Sequence, residues 1–184
     1  MEGADRFRML IPEDRIQARI AEMGRQITGD FQGRDLVVVG VLKGAIFFLT
    51  DLVRRIDLPL SMDFLGLSSY GDATESSGVV RITQDLSRPI VDRDVLVVED
   101  IVDTGLTLWF LRENLLARRP RSLRICTLLH KPSNTLREVP LDYVGFTIEN
   151  RFVVGYGLDY EQRYRNLPYI GYLPLPQAPA APGS

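Results

Sequence analysis

The chain has 184 residues, 45% hydrophobic and 25% charged, which is the composition of one ordinary globular domain long enough to bury a full core. Twenty-two basic against 24 acidic side chains leave a net charge of −2 with both signs interspersed, so nothing in the charge argues for a nucleic-acid or membrane partner. A single cysteine (Cys126) and a single histidine (His130) exclude an internal disulfide, a cysteine-rich metal cluster and a multi-histidine zinc site.

After a short polar start, "IPEDRIQARIAEMGRQI" puts Ile16, Ile20, Met23 and Ile27 at helical spacing, with Pro12, Glu13 and Asp14 suited to a first turn. "DLVVVGV" (35–41) is a continuous β-branched run, the pattern of a strand covered on both faces. "LKG" breaks it, and "AIFFLTDLVRRI" resumes with helical spacing through Leu49, Leu52, Val53 and Ile56. "LSMDFLGLSSY" (60–70) reads as a strand, and the small, polar "GDATESSG" after it as a mobile loop. "VVRITQDL" and "DVLVVED" flank the turn-like "SRPIVDR" and are expected to pair as a hairpin. A helix over 105–118 follows, ended before Pro120, and "LRICTLL" and "YVGFTIE" supply two more strands.

"FVVGYGLDYEQRYRNLPYIGYL" mixes glycines with five tyrosines, and "PLPQAPAAPGS" is a Pro/Ala-rich flexible extension. Strands alternating with helices predict an α/β fold, a mainly parallel twisted sheet flanked by helices. One domain over 1–173 with a flexible tail over 174–184 is expected. No apolar stretch approaches the roughly 18 residues of a membrane helix, and no signal-peptide h-region is visible, so a cytoplasmic protein is expected.

The chemistry concentrates in "VVEDIVDTGLTL" (97–108), where Glu99, Asp100 and Asp103 fall within five residues at a strand end. Ligands of open α/β sheets gather at that edge. Thr104, Gly105 and Thr107 begin a helix, where free N–H groups, hydroxyls and the dipole favour a phosphate. Glu99 and Asp100 are consecutive on a strand, so alternation is expected to point them to opposite faces. Carboxylates there serve sugar hydroxyls, or hold a Mg²⁺ that carries phosphates; aspartates after a strand also serve simply as helix caps. A phospho-acceptor receiver would be shorter and lack the aromatic C-terminal part. A dehalogenase-type phosphatase needs Asp-x-Asp-x-Thr, not the spacing Asp100-Ile-Val-Asp103-Thr104.

The same stretch closely resembles the phosphoribosyl-pyrophosphate (PRPP) signature of type I phosphoribosyltransferases. With "VGVLKGA" (39–45), "LSSYGDATESSGVV" (67–80), "LLHK" (128–131) and "FVVGYGLDYEQRYRNLPYIG" (152–171), the chain is similar to the hypoxanthine-guanine phosphoribosyltransferases over nearly everything between residues 10 and 173.

The resemblance implies the type I phosphoribosyltransferase fold, with a flexible hairpin loop and a small C-terminal hood. It also implies Mg²⁺-dependent transfer of phosphoribose from PRPP to N9 of a 6-oxopurine by a homodimer or homotetramer. Glu99 and Asp100 would match the acids at the ribose hydroxyls and, with Asp159, the metal-binding acids. Asp103 would match the general acid/base near purine N7. The segment Asp103, Thr104, Gly105, Leu106, Thr107 would hold the 5′-phosphate, with Leu106 standing where several members carry lysine.

Lys43, Gly44 and Arg165 would meet pyrophosphate, with a cis peptide between Leu42 and Lys43. Lys131 would donate to the 6-oxo group, Phe152 would stack on the base, and Val153 would present backbone to its edge, with Asp159 nearby. Ser69 and Tyr70 would belong to the loop that closes over the site. A nucleotide-sensing regulator or a pyrimidine-type enzyme on the same fold is the alternative. The former would bring a basic patch or an added DNA-binding module, and "LLHK" followed by "FVVGYGLDY" favours a purine site.

Overall fold

The computed structural model describes residues 7–70 and 79–174. The expected mobile loop over 71–78 and all but the first residue of the expected tail lie outside the described residues.

The valine-rich runs set the architecture. β2 (Leu36–Leu42) and β5 (Asp94–Val102) are buried almost throughout and lie side by side in parallel. Their alternate residues feed two different cores. Leu36, Val38, Leu96 and Val98 pack on one face against α1 (Glu13–Asp30) and α2 (Ile46–Val53). Val37, Val39, Val41, Val95 and Val97 pack on the other with Leu108, Leu111 and Leu115 of α3 (Leu106–Ala117). A strand buried on both sides has no polar face to write, which is why these runs do not alternate in sequence.

With β3 (Leu60–Tyr70), β4 (Val79–Gln84), β6 (Ser122–His130) and β7 (Tyr143–Thr147) they form a six-stranded sheet in the order β4-β3-β2-β5-β6-β7. Every pairing is parallel except β3 with β4. Cys126 lies on β6, fully buried in the first core, and burial pushes its thiol far up.

β4 does not form the expected hairpin with β5. It pairs antiparallel with β3 from Tyr70↔Val79 to Gly66↔Gln84, with a register shift between Gly66 and Leu67. Both edges of β5 are occupied, by β2 and β6. The segment read as a tight turn is instead a crossover to the centre of the sheet. Ile90 is sunk in the second core, Ser87 is tied through its N–H and hydroxyl to Asp63 Oδ2 of β3 (2.8 and 2.9 Å), and the Asp92 N–H donates to Arg119 O (3.0 Å).

The N-terminal stretch read as a polar start contains a strand, β1 (Arg8–Ile11). It pairs antiparallel with β9 (Ile170–Tyr172), which pairs with the two-residue β8 (Val153–Val154), so the hood is built from both ends of the chain. A second tie joins hood and helices: Tyr156 OH donates to Asp51 Oδ2 on α2 (2.5 Å), and Gln17 Nε2 on α1 donates to the same oxygen (2.6 Å). Among the described residues, no helix is long and apolar enough to cross a membrane.

Helix α1 meets the end of α2 closely enough to require glycine. A Cβ on Gly24 would lie 2.5 Å from Arg55 Cβ and 2.7 Å from Arg55 O. Helix propensity alone would make Gly24→Ala stabilising by about 1 kcal/mol. The clash with backbone should reverse that sign, leaving a net loss of about 1–3 kcal/mol. Urea unfolding of the variant measures it, and an unchanged or raised midpoint would contradict the contact.

Candidate active site

A cavity of about 330 Å³ opens at the carboxyl ends of β2 and β5. Three stretches of chain supply its polar walls: Lys43 and Gly44 after β2, the run Glu99–Thr107 without Leu106, and Asp159 with Arg165 from the segment after β8; Leu67 of β3 adds an apolar side. Of the residues singled out in the sequence, Leu106, Lys131, Phe152 and Val153 lie outside this lining. Ser69 and Tyr70 close β3, and their side chains are outside the described residues.

The three walls touch at Gly44. The Leu42–Lys43 peptide is cis. A Cβ on Gly44 would sit 1.6 Å from Asp100 Oδ2, and a Cβ on Gly157 would sit 1.9 Å from Gly44 O. Gly157 also has φ +102°, a conformation that side chains rarely adopt. Arg165 is held across this contact: its Nη1 donates to Gly157 O (2.7 Å), and its carbonyl accepts from the Gly157 N–H (2.9 Å). Its Nη2 pairs with Asp159 Oδ1 (2.8 Å), so the two residues enter the cavity as a neutralised couple.

The start of α3 has the polarity that favours an anion. Gly105 takes φ +79° and caps α3, whose first-turn N–H groups have no carbonyl one turn back to donate to. Thr104 and Thr107 line the cavity beside them. Leu106 is uncharged and lies outside the lining, so the positive character here comes from the helix start itself.

Glu99 and Asp100 do not separate as strand alternation predicts: both line the one cavity. The β2–β5 ladder stops at Gly40↔Val98, which leaves the two acids beyond the reach of β2. Glu99 is long enough to bend back, and its Oε1 accepts from the N–H of Asp100 (3.3 Å). Asp100 Oδ1 accepts from the Ile101 N–H (2.9 Å). Burial, and after it the charge of Asp100, pushes the Glu99 carboxyl well above its usual range; burial also raises Asp100, against the opposing pull of the Glu99 side chain, backbone hydrogen bonds and Arg165.

Asp103 has partners of its own. Lys131, only 6% exposed, brings Nζ to 3.2 Å from Asp103 Oδ2, and Asn134 Nδ2 donates to Oδ1 (2.8 Å). Sequence reading missed Asn134, because an asparagine in a turn carries no signal until the turn is placed against an acid. Phe152 is 50% exposed and meets Tyr160 edge-on with ring centroids 5.6 Å apart; Val153, next to it, is buried in the first core.

This cavity, at the strand ends of a mainly parallel sheet, belongs to a phosphoribosyltransferase fold, and the sequence model of the phosphoribosyl transferase domain matches residues 12–161. The chain is 56% identical over 171 residues to the hypoxanthine-guanine phosphoribosyltransferase of Mycobacterium bovis, covering 90% of this chain and 85% of that protein. It is 49% identical over 166 residues to the same enzyme of Bacillus subtilis, covering 90% and 92%. A solved hypoxanthine phosphoribosyltransferase from Staphylococcus aureus superposes with a TM-score of 0.89 at 48% identity, covering 92% of this chain and 93% of that one. The chain belongs to the phosphoribosyl transferase family, in its hypoxanthine-guanine branch.

The buried Glu99 has a measurable signature. Its carboxyl keeps its proton in the folded protein at pH values where the unfolded chain has lost it. The folded state then binds more protons, so stability falls as pH rises above the ordinary carboxylate range toward the raised value. Glu99→Gln removes this cost. Thermal unfolding without divalent cation should show a larger rise in Tm for the variant at pH 8 than at pH 5; an equal change at both would count against burial of a titrating group.

Proposed function

We propose that the chain is a purine-salvage enzyme. It transfers the 5-phosphoribosyl group of PRPP to N9 of a 6-oxopurine, hypoxanthine or guanine, giving IMP or GMP and pyrophosphate. The observation that carries the reading at the site is the position of Asp103, between the anion-binding start of α3 and the ammonium of Lys131. A ribose phosphate anchored at the helix start would bring its C1 toward Asp103, with the base lying toward Lys131.

In this reading the backbone from Asp103 through Leu106 to Thr107, with Gly105 and the hydroxyls of Thr104 and Thr107, holds the 5′-phosphate. Glu99 and Asp100 hold the ribose hydroxyls. Lys43, Gly44 and Arg165 face the pyrophosphate, and Arg165 stabilises the charge it gains. Lys131 donates to the 6-oxo group, the half-exposed face of Phe152 stacks on the base, and Val153 offers its backbone. The bond from C1 to the pyrophosphate oxygen breaks with its electron pair going to the oxygen. The N9 lone pair then bonds C1, and Asp103 accepts or relays the ring proton.

Mg²⁺ fits the donor set. Among the described residues no group of three metal-binding side chains forms a closed cage, and Mg²⁺ ordinarily takes only one or two carboxylates together with substrate phosphates. Glu99 with Asp100 would hold one ion, which would relieve their crowding, and Asp159 would serve a second. When bound it supplies charge neutralisation at the departing pyrophosphate. The enzyme is read as a cytoplasmic homodimer or homotetramer; exposed Ile46 and Phe47 on α2, next to the pyrophosphate loop, give an apolar face for such contact.

A PRPP- and Mg²⁺-dependent assay across hypoxanthine, guanine, xanthine and uracil tests the substrate class. Product from hypoxanthine or guanine is expected, and product from uracil alone would replace the purine reading by a pyrimidine one. Asp103→Asn should lower kcat by about 10²–10⁴-fold, the range for removing a positioned acid/base, with PRPP affinity little changed. Undiminished turnover in this variant would refute the role given to Asp103.

A further inference from the structure

The segment 131–137 is laid along 102–104 like a splint. The Lys131 N–H donates to Val102 O (2.9 Å), and the N–H groups of Leu136 and Arg137 both donate to Thr104 O (2.9 and 3.0 Å). The backbone is thus tied down on each side of Asp103. Gly105 permits the fit, since a Cβ there would lie 2.0 Å from Arg137 O. The Arg137 guanidinium lies over the Trp109 ring of α3, 5.1 Å from its centroid, and anchors the far end.

Within this splint a single short turn reaches both carboxylate oxygens. Lys131 precedes the 3₁₀ turn Pro132–Asn134, and the Asn134 N–H closes it on Lys131 O (3.2 Å). Lys131 takes Oδ2 of Asp103 and Asn134 takes Oδ1. The amide orientation of Asn134 follows from its partners: a carboxylate only accepts, so the nitrogen must face it. The second hydrogen of that nitrogen goes to Asn150 Oδ1 (2.9 Å), on the loop between β7 and β8.

The two prongs have different fates when substrate binds. In the function proposed above, on which this inference rests, Lys131 turns its donors toward the purine oxygen and loosens its hold on Asp103. Asn134 has no such competing partner on the base. We propose that Asn134 is a positioning residue for the transfer: it fixes the rotation of the Asp103 carboxylate while Lys131 is engaged with the purine, and Asn150 holds its amide in that orientation. A carboxylate free to turn about its Cβ–Cγ bond would present the accepting oxygen to the ring proton only part of the time, and such misplacement is expensive.

The test is a double-mutant cycle between Asn134 and Asp103 on the full chain, with kcat and KM for PRPP and hypoxanthine measured at saturating Mg²⁺. Asn134→Ala is expected to lower kcat roughly 10- to 100-fold, with KM for PRPP unchanged within about twofold. Asn134→Asp keeps the shape but sets one carboxylate against another, so it should lose at least as much. In an Asp103→Asn background, Asn134→Ala should cost almost nothing more, because the group it orients is gone.

Wild-type kcat in both Asn134 variants, with Asp103→Asn impaired, would overturn the proposal and leave the function standing. So would an equal further loss from Asn134→Ala in the Asp103→Asn background, which marks a general structural role. Full activity in Asp103→Asn alone would instead refute the assignment of Asp103, and this proposal with it. Should Asn134→Ala fail to fold, the kcat of the nearly isosteric Asn134→Asp decides between the same outcomes.

Discussion

Everything at the site depends on how closely three stretches of backbone approach at Gly44. Where a side chain would begin, the carboxylate of Asp100 already sits, and the carbonyl of Gly44 lies where a side chain on Gly157 would begin. This contact brings together a loop after β2, an acid at the end of β5 and the hood segment that carries Asp159 and Arg165. Move any one of them outward by the radius of a methyl group and the cavity loses a wall. The two glycines are therefore structural in the strict sense: they set a distance, and that distance makes the cavity.

The remaining parts of the site follow from sheet geometry. Parallel strands deliver their loops to one edge, and neighbouring strands deliver loops that can bond to each other. The end of β6 and the end of β5 do this through 131–137 and 102–104, so the residues read as handling base and sugar phosphate are parts of one hydrogen-bonded unit. The hood contributes from the opposite direction. Its tie to α1 and α2 runs through Tyr156, Asp51 and Gln17, and its own strands borrow β1 from the N-terminal end. Charge is distributed in the same spirit: Arg165 is matched by Asp159 and Lys131 by Asp103, while Glu99 and Asp100 crowd each other and burial raises both carboxyls.

Strands β2, β5 and β6 were legible because a strand buried on both faces has a distinctive composition, and α1 because its isoleucines keep helical period. The acid-rich turn was legible through its likeness to the phosphoribosyltransferase signature, since by spacing alone carboxylates at a strand end serve equally as helix caps. What failed was pairing. A run of turn residues, "SRPIVDR", does not say whether the strands beside it meet, and here a buried Ile90 made it a crossover. Alternation also misled at Glu99 and Asp100, since it describes a strand still inside its sheet, and these two have outrun one neighbour. Asn134 and Gly157 were invisible for a shared reason: their significance lies in what another loop places against them. Phe152 and Val153 carry no local signal that separates a base-facing wall from a core strand, and only the fold sets one half-exposed beside the other buried.

The lone thiol of Cys126 has a practical consequence of its own. It sits in the middle of β6 with its acidity suppressed by burial, so the nucleophilic thiolate is scarcely formed in the native sheet. Modification by a thiol reagent can then proceed only when that central strand is exposed. The protein thus carries an intrinsic clock for the opening of its innermost sheet, with one reactive atom per chain and no label to introduce. The same clock would report, as slowed alkylation, any ligand that binds the native state and holds β5 and β6 together.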